Sequence, residues 1–313
     1  MSNKEGNNLD SYLASIIGEL DYAFEKFQAI ETSNDDKSLD LTRANENQVS
    51  FMELTADQLA QKYADPGLYL FVSTEQSKAN KAIAINLVIK KLLSDVGVTG
   101  YLCKSGHAKH MVKTMLLNLT QIDAERFEIA EFGTQDWGAF NKGITFLSKT
   151  QLIMKEFNTI DAQELEHLFN EIAEHTNQET TSSVDHDLVV IDGLASLLKE
   201  PKKLNETLIM LKAVAKKFKI AIILTEVLSE PYFETYPSVR KLKQWPEFKE
   251  HVDLVTLIDG GNLCQPNFSG KDVRLFVNHP SEIEEKAIFP FLDTQLYSIS
   301  YAELNRQVIN HAI

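Results

Sequence analysis

From Leu68 onward the chain alternates short, almost wholly apolar runs with longer segments of helical period, and this alternation restricts the fold more than any other feature. Apolar runs at Leu68 to Ser73, Thr99 to Lys104, Leu152 to Phe157, Leu188 to Asp192, Ile220 to Thr225 and Leu254 to Ile258 read as strands. Helical periodicity predicts helices over Lys78 to Ser94, His107 to Leu119, Asp136 to Ser148, Ala162 to His175 and Leu204 to Phe218. Strands that alternate with helices in this way form a mainly parallel sheet covered by helices, an α/β fold. The pattern changes at the end of the chain. Val273 to Val277, Ala287 to Leu292 and Leu296 to Ser300 follow one another with no room for helices, so an antiparallel edge is expected there.

The N-terminal stretch carries Leu9, Leu13, Ile16, Leu20, Ala23, Phe27 and Ile30 at spacings of three and four, the signature of an amphipathic helix. Such a stripe needs a partner. The polar run from Glu31 to Ser38 follows it and contains turn formers but no hydrophobe, which makes it the best linker in the sequence. The helix can dock on its own domain or on something else, and periodicity does not separate the two placements. The expected organisation is therefore residues 1–38 as a helical arm with its linker and residues 39–313 as one α/β domain.

With 313 residues, 43% of them hydrophobic, the chain is long enough to bury a large core. No apolar run approaches a membrane span, and Met-Ser-Asn-Lys-Glu at the start lacks the apolar centre of a signal peptide, so a cytoplasmic protein without membrane contact is expected. Cys103 and Cys264, the two cysteines, do not make a disulfide framework. A formal charge of −14 repels polyanions, so any nucleic-acid contact must come from a local basic segment.

The order of these landmarks is recognisable. Phe24-Glu-Lys-Phe-Gln-Ala-Ile30, Asp65-Pro-Gly-Leu-Tyr-Leu-Phe71, Asp187-Leu-Val-Val-Ile-Asp-Gly-Leu194, Leu211-Lys-Ala-Val-Ala-Lys-Lys-Phe218 and Glu250-His-Val-Asp-Leu-Val255 stand where a known family has its counterparts. From about Leu20 to Ser300 the chain resembles the C-terminal, RecA-like motor domain of DnaB-type replicative DNA helicases, together with the linker helix that precedes it. The resemblance implies a P-loop NTPase fold, a nucleotide site after the first core strand, and a linker helix that lies on a neighbouring subunit. In this chain the corresponding contact would be made by Leu13, Ile16, Leu20, Phe24 and Phe27.

Carried over residue by residue, the resemblance implies a vestigial nucleotide site. A loop of the form G-x-x-x-x-G-K-[ST] converges backbone N–H groups on phosphates, adds a lysine charge and supplies a hydroxyl to Mg²⁺. The segment from Thr74 through Ser77 and Lys78 to Lys81 has no glycine. In the favoured register Ala79 holds the glycine position, Asn80 the lysine position and Lys81 the hydroxyl position. A slip by one residue restores a lysine at Lys81 but puts Asn80 at the glycine and Ala82 at the hydroxyl. Neither register rebuilds the loop. Ser105 stands where the family has its catalytic glutamate, Glu226 where it has a nucleotide-sensing glutamine, and Asn278 and Pro280 where it has the lysine and arginine finger given to the neighbour. Proline cannot act as an arginine finger. Asp192, the carboxylate that would orient Mg²⁺, is the one station retained.

Other chemistry finds little support. Cys103, His107 and His110 have a spacing that could hold a metal, but three ligands with no fourth read more simply as a buried cysteine and two surface histidines. Nucleophile-elbow, zinc-protease and paired C-x-x-C motifs do not occur. Arg240, Lys241, Lys243 and Trp245 form one basic segment, and the family's counterpart faces single-stranded DNA; Glu234, Glu247 and Glu250 dilute it here. The expected function is that of a catalytically degenerate, helicase-like pseudo-ATPase. It would act by self-association through the N-terminal helix or by binding a protein partner, in DNA replication or mobile-element biology. A divergent active NTPase and a nucleotide-independent single-strand binder are the alternatives. No cofactor or metal is expected, weak ATP and Mg²⁺ binding being the one allowance.

Overall fold

A computed structural model describes residues 9–28, 52–53, 56–74, 79–94, 97–122, 126–127, 129–177, 186–228, 246–259, 272–278 and 284–290. The strands are β1 (Met52–Glu53), β2 (Gly67–Thr74), β3 (Thr99–Lys104), β4 (Leu152–Phe157), β5 (Asp187–Asp192), β6 (Ile220–Leu228), β7 (Leu254–Asp259), β8 (Asp272–Asn278) and β9 (Glu284–Pro290). The helices are α1 (Leu9–Gln28), α2 (Ala56–Lys62), α3 (Ala79–Leu93), α4 (Ala108–Thr120), α5 (Thr134–Lys149), α6 (Ala162–Asn177), α7 (Leu194–Leu197), α8 (Leu204–Phe218) and α9 (Pro246–His251).

All nine strands form one sheet in the order β1-β9-β8-β7-β2-β6-β5-β3-β4. From β7 to β4 every neighbouring pair is parallel. The pairs β7 with β8 and β8 with β9 are antiparallel, as the tail of the sequence predicts. The run Leu296 to Ser300 lies outside the described residues. The short strand β1 closes this side by pairing parallel to β9.

Period-two alternation divides the core between the faces of the sheet. Tyr69, Phe71, Tyr101, Cys103, Val190 and Ile223 face α1, α3, α4 and α5, whereas Leu68, Leu70, Leu102, Val189, Ile222 and Leu224 face α6, α8 and α9. Both faces are covered, which is why these strands read as continuous apolar runs. The helices start where local chemistry allows. Asp161 and Glu164 form a reciprocal capping box before α6: the Glu164 N–H donates to Asp161 Oδ1 and the Asp161 N–H to Glu164 Oε2, both at 2.9 Å. The first turn of α4 has no side-chain cap of its own, and the Glu156 carboxylate on β4 accepts the Ala108 N–H at 2.7 Å instead.

Helix α1 forms as its spacing predicts, and its stripe is covered within the chain. Leu9, Leu13, Ile16 and Leu20 are 2%, 3%, 1% and 4% exposed, packed chiefly on α4 with further contact to α5 and β4. Lys109 on α4 adds an ion pair to Glu19. Of the two placements left open by the sequence, docking on the chain's own domain is the one observed. Leu13, Ile16 and Leu20 therefore reach a neighbouring copy only if the helix leaves this site. Phe24 and Phe27 continue the same helix, with side chains outside the described set.

Candidate functional site

Ligand sites of open parallel sheets lie beyond the carboxyl ends of the strands. Here β2, β6 and β5 are adjacent, and their register brings Asp192 opposite Thr225 and Val72 opposite Glu226. Each of these strands is apolar until its last residues, where Ser73, Thr225, Glu226 and Asp192 appear at one level of the sheet. All four are nearly buried. Helix α3 begins at Ala79 directly above them, which delivers Asn80 and Lys81 to the same place.

Asn80 is fully buried and its amide joins two strands. The Ser73 hydroxyl donates to Asn80 Oδ1 at 2.7 Å, and Asn80 Nδ2 donates to the Glu226 carbonyl at 2.7 Å. Asn80 Oδ1 also accepts the Lys81 N–H at 2.9 Å, which satisfies a donor of the first helical turn. Lys81 turns its ammonium to Asp192, with Nζ 2.8 Å from Oδ2. The other carboxylate oxygen, Oδ1, accepts the Thr225 hydroxyl at 2.6 Å. Gly193 follows at φ 76°, a left-handed conformation that a side chain would strain, and its N–H donates to the Thr225 carbonyl at 2.8 Å.

Glu226 points to the opposite face of the sheet from Thr225, where its Oε1 accepts the Ala195 N–H of α7 at 2.8 Å. Burial pushes its carboxyl up to about 7; the Ala195 N–H opposes that shift, Asp192 adds to it and Lys81 opposes it. Beneath the site, burial also pushes the Cys103 thiol up to about 12, with smaller upward contributions from Asp192 and Glu156 against Lys81. Tyr101 lies beside it, fully buried, its hydroxyl donating to Met111 Sδ at 3.3 Å and held well above the usual tyrosine range, chiefly by burial.

The structure thus joins Asn80, Lys81, Asp192 and Glu226 in one network and places Ala79, fully buried, at the start of α3. Thr74 ends β2 opposite Leu228. Ser105 is exposed in the turn after β3, where its N–H donates to the Phe157 carbonyl at 3.0 Å. His107 and His110 are also exposed, while Cys103 is buried beneath them. Among the described residues no group of three His, Cys, Asp or Glu could hold a metal ion. Asn278 ends β8. Ser77, Lys78, Arg240, Lys241, Lys243, Trp245 and Pro280 lie outside the described residues. Ser73, Thr225 and the Ala195 N–H were not singled out from the sequence. The signal available was the appearance of polar residues at the carboxyl ends of otherwise apolar strands. A cavity of about 210 Å³ flanks the network between α3 and α4, lined by Lys81, Ala82, Ile85, His107, His110, Met111 and Thr114.

No family model matches the chain, and comparison with curated proteins finds no match. Solved structures do match. The ATPase domain of a DnaB-like helicase is 13% identical with a TM-score of 0.66, over 91% of this chain and 98% of that one. The fold is that of a DnaB-type, RecA-like ATPase domain. A DnaB-like replicative helicase, described with its interactions with primase, is 15% identical with a TM-score of 0.66, over 93% of this chain and 75% of that one. In this DnaB-like fold the parallel core, the flanking helices and the antiparallel edge are those expected from the sequence.

Proposed function

We propose that this protein is a helicase-like pseudo-ATPase that acts by binding and not by nucleotide hydrolysis. The observation that carries the reading is Asn80. Phosphoryl transfer needs positive charge aimed at the phosphates, and the residue at the lysine position is instead an uncharged, fully buried amide committed to Ser73 and the Glu226 carbonyl. Glu226, at the position of the nucleotide-sensing glutamine, is likewise turned inward to Ala195. Ser105, at the position of the catalytic glutamate, carries no carboxylate to activate water.

One of the similar structures is of a replicative helicase with its interactions with primase, so a protein partner in DNA replication, or in the mobile elements that replicate similarly, is the partner class proposed. Self-association through α1 is the second mode. The same apolar stripe serves in cis or in trans, and the tethered helix has an effective concentration of order millimolar. Exchange between copies should therefore become populated only at high protein concentration.

The direct test is a steady-state ATPase assay with Mg²⁺. The wild-type protein is expected to show no turnover above background, and Asp192→Ala no change from it. Turnover that disappears in Asp192→Ala would overturn the reading.

A further inference from the structure

ATPases of the P-loop type hold Mg²⁺ between the loop hydroxyl and the carboxylate that ends a neighbouring strand. The corresponding positions here are Lys81 and Asp192, and they do not suit a divalent cation. Magnesium requires oxygen donors in near-octahedral geometry, whereas Lys81 brings a cation of its own. Its ammonium is 2.8 Å from Asp192 Oδ2, with side-chain exposures of 22% for the lysine and 3% for the aspartate. The remaining oxygen of Asp192 is taken by the Thr225 hydroxyl. A divalent cation entering this place would have to displace the ammonium and meet its charge.

We propose that the Lys81 ammonium is a built-in replacement for the divalent cation of this fold. It neutralises the nearly buried Asp192 and ties the first turn of α3 to the end of β5, the two elements that a metal would otherwise bridge. Lys81 is then a positioning residue, and the folded state is independent of divalent metal. The inference deepens the pseudo-ATPase reading, but its test does not depend on activity. Turnover by the wild type would end that reading and leave the comparison below as it stands.

Thermal unfolding of the full chain and its variants, in EDTA and in millimolar Mg²⁺ at matched ionic strength, tests the proposal. The wild-type midpoint is expected to be the same in both buffers. Lys81→Met leaves a nearly buried carboxylate without its counter-charge and should melt lower by roughly 5–10 °C. Asp192→Asn added to Lys81→Met removes that charge and should recover part of the loss, which also covers the case in which the single variant folds poorly. Lys81→Ser vacates the cation position and restores an oxygen donor, so Mg²⁺ should raise its midpoint, a response that a purely structural role for Lys81 would not produce. A wild-type midpoint that rises with Mg²⁺, a Lys81→Met protein as stable as wild type, or a Lys81→Ser protein indifferent to Mg²⁺ would overturn the proposal.

Discussion

A chain that begins at Leu39 is expected to lose much of its stability and to bind hydrophobic dyes in its folded state. Without α1, the face of α4 that covers Leu9, Leu13, Ile16 and Leu20 becomes open to water. Four large aliphatic side chains at about 1.5–3 kcal/mol each give roughly 6–12 kcal/mol, an upper bound because the unfolded chain already buries part of this area. Ordering the backbone of α1 offsets a further part. The remainder is still large beside the ~5–15 kcal/mol by which a whole domain is stable. Ile16→Asp, at a position only 1% exposed, should reproduce much of the effect in the full-length chain. Denaturant melts and light scattering of the three proteins decide the matter. Full-length protein should be mainly monomeric at tens of micromolar, with the truncated chain destabilised and prone to associate. A truncated chain as stable as the full one would mean that α1 is not part of this core.

Replacing Glu226 by Gln should stabilise the protein in a pH-dependent way. Burial raises this carboxyl from its ordinary 4.5 to about 7, so the folded state holds the proton more tightly than the unfolded state. The contribution of the protonated form is complete below about pH 4.5 and is lost as pH rises through about 7. Above that range a nearly buried carboxylate must be kept charged. Glutamine cannot ionise and keeps an oxygen to accept the Ala195 N–H. The variant should therefore be more stable than wild type by up to about 3 kcal/mol near pH 8, the difference shrinking toward pH 5. Unfolding curves for both proteins across this window measure it. Parallel pH profiles would show that Glu226 does not titrate in the window.

The central strands and the helices that cover them were legible because burial on both faces leaves continuous apolar runs, and covering helices leave a clear helical period. Five of the six expected core strands end within about one residue of their predicted ends; β6 instead continues to Leu228, because pairing with β2 extends to Thr74 and buries the polar Glu226 on the way. The elements that were missed are short. β1 has two residues and is defined only by its pairing to β9, more than two hundred positions away, and α2, α7 and α9 are too brief to show a period. Loss of the phosphate-loop chemistry could be read from Ala79, Asn80 and Lys81. What replaced it could not, because the tie from Asn80 to the Glu226 carbonyl and the pair between Lys81 and Asp192 depend on strand register, and Thr225 becomes the partner of Asp192 only through the alignment of β5 with β6.

Titration calorimetry with ATP and Mg²⁺ most directly tests the claim that internal contacts have taken the place of the nucleotide. With Asn80 committed to Ser73 and the Glu226 carbonyl, and Lys81 to Asp192, the side chains that should meet phosphate and metal are already engaged. The wild-type protein is predicted to bind ATP no tighter than about 1 mM, about −4 kcal/mol, with no change on adding Mg²⁺. Saturable, Mg²⁺-dependent binding at micromolar ATP, abolished by Asp192→Ala, would contradict the account.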